Sequence, residues 1–440
     1  MRKRWAQARI RLTLAAALGL MCFTPPVQQL AEYPGDITIP LGQKTVLPMG
    51  LPGNATTSDG EIVQVHSSPT TNHVAVISRD LGEATVSTHV FGFVPWKAVR
   101  VHVVPQEVVY VGGQSIGIKL RSAGVMVVGF QRLGPDQVSP AAQAHLKVGD
   151  LIQQIDAHPV HTAQDLRKWT HEEMEGHSQL RITVRRGKDD KVLKLTPFVD
   201  SKGVQHLGLF VRDKASGVGT LTFYDPAHHR FGALGHVITD VDTGLAIEGT
   251  GSLYEATVSS VIKGTAGRPG EKRGRFAPDS NEVGFIDKNT PFGIFGTMED
   301  APKHSYLSNP MPVALPKQVH EGPAKLLTVL HGQTVEQFDV QIENLVKQEQ
   351  PNTKSMIVRV TDPKLLRETG GIVQGMSGSP LIQDGRLIGA VTHVFVSDPT
   401  RGYGVYANWM LKESDDMAKE GESNQASAAL AKGRRTVEQA

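Results

Sequence analysis

Short runs of alternating apolar and polar residues dominate the chain from residue 31 to residue 105. Glycine, proline, asparagine and aspartate separate these runs, as is typical of strands joined by tight turns. The runs include residues 37–39, 45–47, 73–77 and 99–104. The pattern predicts a small N-terminal β region over residues 31–105, and no residue in it indicates a particular chemistry.

The block from residue 106 to residue 200 contains the same strand-like alternation and, in addition, one segment with the periodicity of a helix. Apolar runs cover 115–120 and 124–129, a helical pattern covers 162–169, and predicted strands cover 180–185 and 191–195. With the turn Gly149-Asp150-Leu151-Ile152, this order resembles a PDZ domain. The resemblance implies a groove in which backbone N–H groups of Ile116, Gly117 and Ile118 bind a peptide carboxylate and a strand edge accepts the extended peptide. A hairpin and helix of some other mixed domain is the alternative.

The region from residue 201 to residue 415 contains a glycine-rich turn with a candidate nucleophile. The sequence Gly375-Met376-Ser377-Gly378-Ser379-Pro380 precedes an apolar strand. Such a turn can expose the Ser377 hydroxyl while the N–H groups of Gly375 and Ser377 point to one spot, as an oxyanion hole requires. Ser379 is the rival nucleophile, but Pro380 restricts its backbone. A serine-rich hairpin turn without catalytic function is the other alternative.

A serine nucleophile needs a general base, and the setting of His236 fits one. A predicted strand over residues 217–226 enters a turn, and residues 231–238 form the return strand, with His236 among glycine and small apolar residues. A half-buried imidazole there can act as a base near neutral pH. A core histidine without function is the alternative. His228 and His229 on the turn lack the partners of a known zinc motif, so we expect no metal.

Asp362 is the candidate third member of a catalytic set. It follows the predicted strand 356–360 and precedes Pro363 and a helical stretch over 364–368. Asp before Pro at a helix start is also the signature of an N-cap, so a purely structural role is the alternative.

Composition and charge narrow the class of protein. The chain has 46 Lys+Arg and 44 Asp+Glu among 440 residues, a net charge of +2, which argues against a nucleic-acid binder. The single Cys22 permits no intrachain disulfide, and no glycine-rich phosphate loop follows a strand, so we expect no cofactor. The basic segment 263–276 is interpreted as a solvated surface loop, with a substrate-gating or self-processing loop as the alternative.

The N-terminus predicts export. Basic residues precede an uncharged apolar run over residues 12–23, which ends before Pro25-Pro26. This is the layout of a signal peptide, and at twelve residues it is short for a spanning helix. An uncleaved membrane anchor is the alternative, so residues 1–30 are assigned to one of these two. The polar segment 416–440 is predicted to be a tail.

Long ordered motifs link these regions to one family. The sequences GVGTLTFYDP, FGALGH, VRVTDP and GGIVQGMSGSPLIQDGRLIGAVTHV follow the PDZ-like block in this order. Together they resemble the SpoIVB peptidases, serine peptidase family S55 of endospore-forming bacteria. The resemblance implies a mainly β, multidomain chain with a chymotrypsin-like β-barrel peptidase domain over residues 201–415. It also implies a triad of Ser377 as nucleophile, His236 as base and Asp362 as orienting acid.

The resemblance further implies an intercompartmental signalling role in sporulation. A family member is exported from the forespore into the space between forespore and mother cell, and it cleaves itself by autoproteolysis. It then cleaves a membrane-bound regulator, which leads to activation of a late mother-cell sigma factor. The alternative is a secreted, non-catalytic PDZ scaffold. A heat-shock protease is disfavoured because those proteins place the PDZ domain after the peptidase domain.

Overall fold

The computed structural model describes residues 33–68, 72–134, 138–173, 178–276, 282–302, 306, 308–346, 348 and 350–416. The predicted export segment and most of the polar tail lie outside these residues. Contacts divide the chain into two compact units, Met1–Glu107 and Val108–Ala440. No helix within the described residues is both long enough and apolar enough to span a membrane.

The first unit is built from strands alone in its described part. Its strands are β1 (Asp36–Pro40), β2 (Lys44–Pro48), β3 (Gly53–Thr57), β4 (Val63–Ser67), β5 (His73–Ser78), β6 (Gly82–Val90) and β7 (Val94–Val104). They form a four-stranded sheet in the order β1-β7-β6-β3 and a three-stranded sheet in the order β2-β5-β4. Alternate valines and isoleucines of both sheets are buried in one core, as the alternating sequence requires.

The second unit contains the remaining strands and the helices. Its strands are β8 (Val108–Val111), β9 (Ser115–Phe130), β10 (Leu151–Ile155), β11 (His158–Pro159), β12 (Leu180–Arg186), β13 (Asp189–Leu195), β14 (Phe198–Val199), β15 (Gln205–His206), β16 (Leu209–Asp225), β17 (Arg230–Ala233), β18 (Gly249–Glu255), β19 (Thr257–Ile262), β20 (Glu271–Arg275), β21 (Glu282–Thr290), β22 (Gly293–Thr297), β23 (Met311–Pro312), β24 (Gly322–Val329), β25 (Val335–Leu345), β26 (Met356–Val360), β27 (Pro380–Gln383), β28 (Arg386–Phe395) and β29 (Asp398–Tyr406). Its helices are α1 (Pro140–Gln143), α2 (Ala163–Glu173), a 3₁₀ turn (Pro316–Gln318) and α3 (Pro363–Thr369), and residues 407–416 are also helical.

Two rings of six strands form the larger part of this unit. Strands β24-β25-β26-β29-β28-β27 make a closed barrel. Strands β9-β18-β21-β22-β17-β16 make a second ring, because β16 pairs back with β9. We call these the C-terminal barrel and the N-terminal barrel. The mainly β fold with a β-barrel domain, predicted from the sequence, is confirmed.

Two long strands, β9 and β16, run between the N-terminal barrel and the block at residues 106–200 that resembles a PDZ domain. The first part of β9 lies in the barrel, and its last residues pair with β10, which leads through β12 to β13. The strand β16 likewise begins beside the end of β9 and ends in the barrel at Asp225. A single sheet therefore runs through both parts, where the sequence predicted two separate segments divided at residue 200.

Candidate active site

The nucleophile loop, residues 374–379, connects α3 to β27 and is fixed by backbone hydrogen bonds to both barrels. Thr220 N–H donates to the Ser377 carbonyl at 3.0 Å, and Gly378 N–H donates to the Val391 carbonyl at 2.8 Å. A Cβ at Gly378 would lie 2.2 Å from the Thr220 carbonyl oxygen, and Gly378 has a φ of +90°. Only glycine fits this position, so the loop approaches β16 as closely as it does because of Gly378.

The N–H groups that the sequence assigned to an oxyanion hole have no partner among the described residues. Neither Gly375 N–H nor Ser377 N–H donates a hydrogen bond there, whereas Met376 N–H donates to the Val373 carbonyl. The Ser377 hydroxyl donates to the Thr392 carbonyl at 2.8 Å. Unpaired backbone donors beside a serine hydroxyl can bind the oxygen of a substrate carbonyl.

The rival serine is in a different environment. The side chain of Ser379 is fully buried, and its hydroxyl has no hydrogen-bond partner in the described part of the chain. The hydroxyl of Ser377 instead borders a cavity of about 440 Å³ between the barrels. A substrate in that cavity can reach Ser377 and cannot reach Ser379.

His236 lines the same cavity from the N-terminal barrel. The chain turns sharply after β17 because Leu234 and Gly235 have φ angles of +67° and +70°. The side chain of Asn289 then accepts from Ile238 N–H and donates to the Ile238 carbonyl, both at 2.7 Å. These bonds fix the backbone two residues after His236.

The hydrogen bonding of His236 defines its tautomer. Its Nδ1 lies 2.8 Å from the Val237 carbonyl oxygen, which can only accept, so Nδ1 carries the proton and Nε2 keeps a free lone pair. Burial lowers the pKa of His236 below its ordinary value, although the bond to Val237 acts in the opposite direction. A neutral imidazole with an unprotonated Nε2 is the form that a general base needs.

A second imidazole, His393, lies against His236 in the cavity. The two ring centroids are 4.7 Å apart, and both residues line the cavity. Burial, with smaller contributions from His236 and Lys354, lowers the pKa of His393 to about 4. Sequence analysis did not select this residue, although it directly follows Thr392, whose carbonyl binds Ser377. The cavity lining includes no Asp, Glu, Lys or Arg among the described residues.

Lys272 is buried directly behind the nucleophile loop. Its Nζ donates to the hydroxyls of Ser115, Thr220 and Thr328 at 3.3, 3.2 and 3.1 Å. Thr220 in turn donates to the Gly375 carbonyl at 2.8 Å. Burial lowers the pKa of Lys272 to about 7. The expectation that segment 263–276 is a solvated loop is wrong at this residue, because only 2% of Lys272 is exposed.

Asp362 caps α3 and is not among the residues that line the cavity. Its carboxylate accepts from the N–H groups of Lys364 and Leu365 at 2.8 and 3.0 Å, and from Asp339 N–H at 3.3 Å. Partial burial acts to raise its pKa, but these three donors together hold the pKa below its ordinary value. Within the described residues, Asp362 makes no hydrogen bond to His236, whose Nδ1 is bonded to Val237. The structure therefore brings Ser377 and His236 together and leaves Asp362 at the helix cap.

The predicted carboxylate-binding turn at Ile116, Gly117 and Ile118 is wrong. These residues lie inside β9, and Gly117 is opposite Val218 of β16 on one side and Tyr254 of β18 on the other. Both strand edges are therefore occupied and cannot accept a peptide. A Cβ at Gly117 would lie 2.2 Å from the ring of Phe276, so this glycine makes room for an aromatic ring.

One group of side chains in the described residues has the spacing of metal ligands. Potential ligand atoms of Asp225, His228 and Asp415 all lie within 4.8 Å of one another. Asp225 already accepts from Ala227 N–H and bonds to the His228 ring. The cluster is separate from the residues that line the cavity.

Comparison with known proteins gives the class and then the family. Residues 114–196 match the family model of the PDZ domain, so the chain is a β-barrel protein with a PDZ domain. Residues 203–411 match the family model "SpoIVB peptidase S55". The chain thus carries a serine peptidase domain of the SpoIVB S55 family, and the resemblance found in the sequence motifs is confirmed.

Solved structures show only a distant likeness. The Rv3671c protease from M. tuberculosis in its active form shares 17% identity, covers 45% of this chain and 72% of its own, and has a TM-score of 0.24. The inactive form of the Rv3671c protease shares 15% identity, covers 44% of this chain and 81% of its own, with a TM-score of 0.23. A comparison with curated proteins gave no match.

Proposed function

We propose that the chain is an exported serine endopeptidase of sporulation in which Ser377 is the nucleophile and His236 the general base. The observation that carries this proposal is the single cavity that both side chains line, with the unpaired N–H groups of Gly375 and Ser377 beside it. Ser377 attacks the scissile carbonyl, its proton passes to Nε2 of His236, and the two N–H groups bind the oxyanion. His236 then gives the proton to the leaving amine.

Two features of the described conformation bear on the first step. The Ser377 hydroxyl donates to Thr392, so it must rotate from that carbonyl toward His236 before attack. The Val237 carbonyl already holds the His236 ring in the tautomer that a triad acid would impose. Asp362 as orienting acid stays the alternative, and it would require Asp362 to leave its helix cap.

The substrates proposed are the chain itself and a membrane-bound regulatory protein, with peptide segments bound by the PDZ domain. A peptidase held at a membrane by residues 12–23 meets its own residues 31–105 at high effective concentration, which favours self-cleavage there. The uncharged lining of the cavity favours an uncharged substrate side chain. Cleavage of the regulator in the space between forespore and mother cell would lead to activation of a late mother-cell sigma factor.

Purified full-length chain tests the proposal. We expect N-terminal fragments to accumulate with time in the native chain and in Ser379→Ala, the matched control, and not in Ser377→Ala. Mass spectrometry of the fragments locates the cut. Fragments in Ser377→Ala would assign the cleavage to another protease, and a native chain that cleaves neither itself nor the regulator would favour the PDZ scaffold.

A further inference from the structure

The hairpin of β6 and β7 ends in a cluster of exposed apolar side chains in the first unit. Phe91, Phe93, Val94 and Trp96, here called the aromatic tip, are 57%, 75%, 41% and 44% exposed. The pairing of Val90 with Val94 places them at the end of the hairpin. Single exposed apolar residues are ordinary in proteins, but four large ones within six positions form a patch that marks an interaction surface.

The charge around the aromatic tip selects the kind of partner. The sequence has no Asp or Glu between residues 84 and 106, where Lys97 and Arg100 are the charged residues, and none between residues 48 and 58. The second range includes β3, which pairs with β6 up to Val90 beside the tip. Asp36 of β1 forms an ion pair with Arg100 at 2.7 Å, so Lys97 supplies the excess positive charge behind the tip. An apolar tip with this positive excess fits an anionic lipid surface, where aromatic rings lie at the headgroup level and cations meet lipid phosphates.

The first described residues of the chain lie at the same end of the unit as the tip. The strand β1 runs parallel to β7 with Asp36 opposite Arg100, and Lys97 Nζ donates to the Tyr33 carbonyl at 2.9 Å. Followed backwards from Asp36, the chain therefore runs toward the tip. Nine residues lie between Phe23, the end of the apolar run, and Tyr33. The ten chain steps from one to the other reach at most about 35 Å.

We propose that the aromatic tip inserts into the interface of an anionic lipid bilayer beside the N-terminal segment. The proposal rests on the membrane-side location in the proposed function and is independent of catalysis. Phe93, the most exposed of the four, enters deepest, and Lys97 and Arg100 lie behind it on β7 toward the headgroups. This second contact keeps the first unit on the bilayer when the chain is cut before Tyr33.

A fluorescent label on the full chain tests this contact. Cys22 is the only cysteine, so Cys22→Ser combined with Ser377→Ala gives an intact chain that accepts one label. An environment-sensitive fluorophore is attached at Phe93→Cys or, as the matched control, at Leu81→Cys, an exposed apolar position just before the other end of β6. Both chains are bound to phosphatidylglycerol vesicles that contain lipids with nitroxide groups on their acyl chains.

We expect a blue shift and several-fold stronger nitroxide quenching at position 93 than at position 81. Trp96→Ser in the labelled chain should reduce the quenching at position 93. Equal quenching at the two positions, or none at either, overturns the proposal. A blue shift without vesicles that grows with protein concentration would assign the tip to a second copy of the chain and would also overturn it. Because Ser377→Ala lacks the nucleophile, either result leaves the peptidase proposal to its own test.

Discussion

The serine side and the histidine side of the candidate site are held in place by different means. The nucleophile loop is joined to β16, β20 and β28 by backbone hydrogen bonds, and Lys272 adds a buried network behind it. His236 is positioned by one bond to its neighbour Val237 and by the Asn289 side chain that holds Ile238. His236 comes from the N-terminal barrel and the nucleophile loop from the C-terminal barrel, and both line the cavity.

This difference suits the roles proposed for the two sides, an oxyanion hole and a general base. An oxyanion hole depends on the direction of two N–H groups, so the loop that provides them benefits from a fixed backbone. A general base depends on its protonation state, which burial sets at His236 without a carboxylate partner in the described residues. On the serine side the fixed backbone sets the direction of the N–H groups. On the histidine side burial sets the protonation state of His236.

Removing the Ser377 hydroxyl or the His236 imidazole should produce the largest loss of peptidase activity. We expect Ser377→Ala and His236→Ala each to lower kcat by up to about 10⁶-fold, with the double variant no worse than either single one, because the two residues act in one step. Cleavage rates on a common peptide substrate, measured for all four proteins, check this. Losses that multiply in the double variant would contradict a shared mechanism.

The Lys272 network tests the geometry of the serine side. Lys272→Met keeps an apolar stem and removes the amine that Thr220 accepts from, so we expect kcat to fall about 10- to 100-fold with KM little changed, less than direct loss of an oxyanion donor. Thr220→Val removes the hydroxyl that links Lys272 to the Gly375 carbonyl, so it should lower kcat in the same way as Lys272→Met. Normal kcat per titrated active site in both variants would show that the network only supports folding.

Substitution of Asp362 tests whether His236 needs a carboxylate to orient its ring. Since asparagine caps helices as well as aspartate does, we expect Asp362→Asn to keep kcat, while Asp362→Ala lowers the free energy of unfolding by about 1 kcal/mol. Denaturant unfolding and peptide cleavage, measured on both variants, separate the two roles. A loss of kcat of about 10⁴-fold in Asp362→Asn with unchanged stability would instead identify Asp362 as the orienting acid.

The smallest effect is a shift in the pH profile. His236 must be neutral to act as a base, and burial lowers its pKa, so activity should persist below the ordinary histidine pKa and be lost as pH falls through the lowered value. The profile of kcat against pH measures the position of this acidic limb. An acidic limb at or above the ordinary histidine pKa would mean that burial does not set the pKa of His236.

Local elements were predictable because each depends on its own sequence pattern. The alternating run at 356–360 is β26, and the helical stretch after Pro363 is α3. The nucleophile loop was also recognisable, since Gly375 and Gly378 are needed for its backbone angles. These features arise from interactions within a few residues, which a sequence displays directly.

Features that depend on contacts between residues far apart in the chain could not be predicted from the sequence pattern. Gly117 looked like part of a carboxylate-binding turn, but β16 and β18 occupy both edges of its strand, and neither pairing leaves a local signal. Lys272 lies in a basic glycine-rich segment, yet hydroxyls from three separate strands surround its amine.

By itself, the sequence determined the β-rich fold class and the family, and it predicted Ser377 and His236 as site residues, because these follow from local periodicity and contiguous motifs. The tertiary structure decided that Ser377, His236 and His393 share a cavity, that Lys272 is buried behind the nucleophile loop, and that Asp362 caps a helix. Those outcomes depend on which strands pair and which side chains are buried together, and such contacts form between residues far apart in the chain.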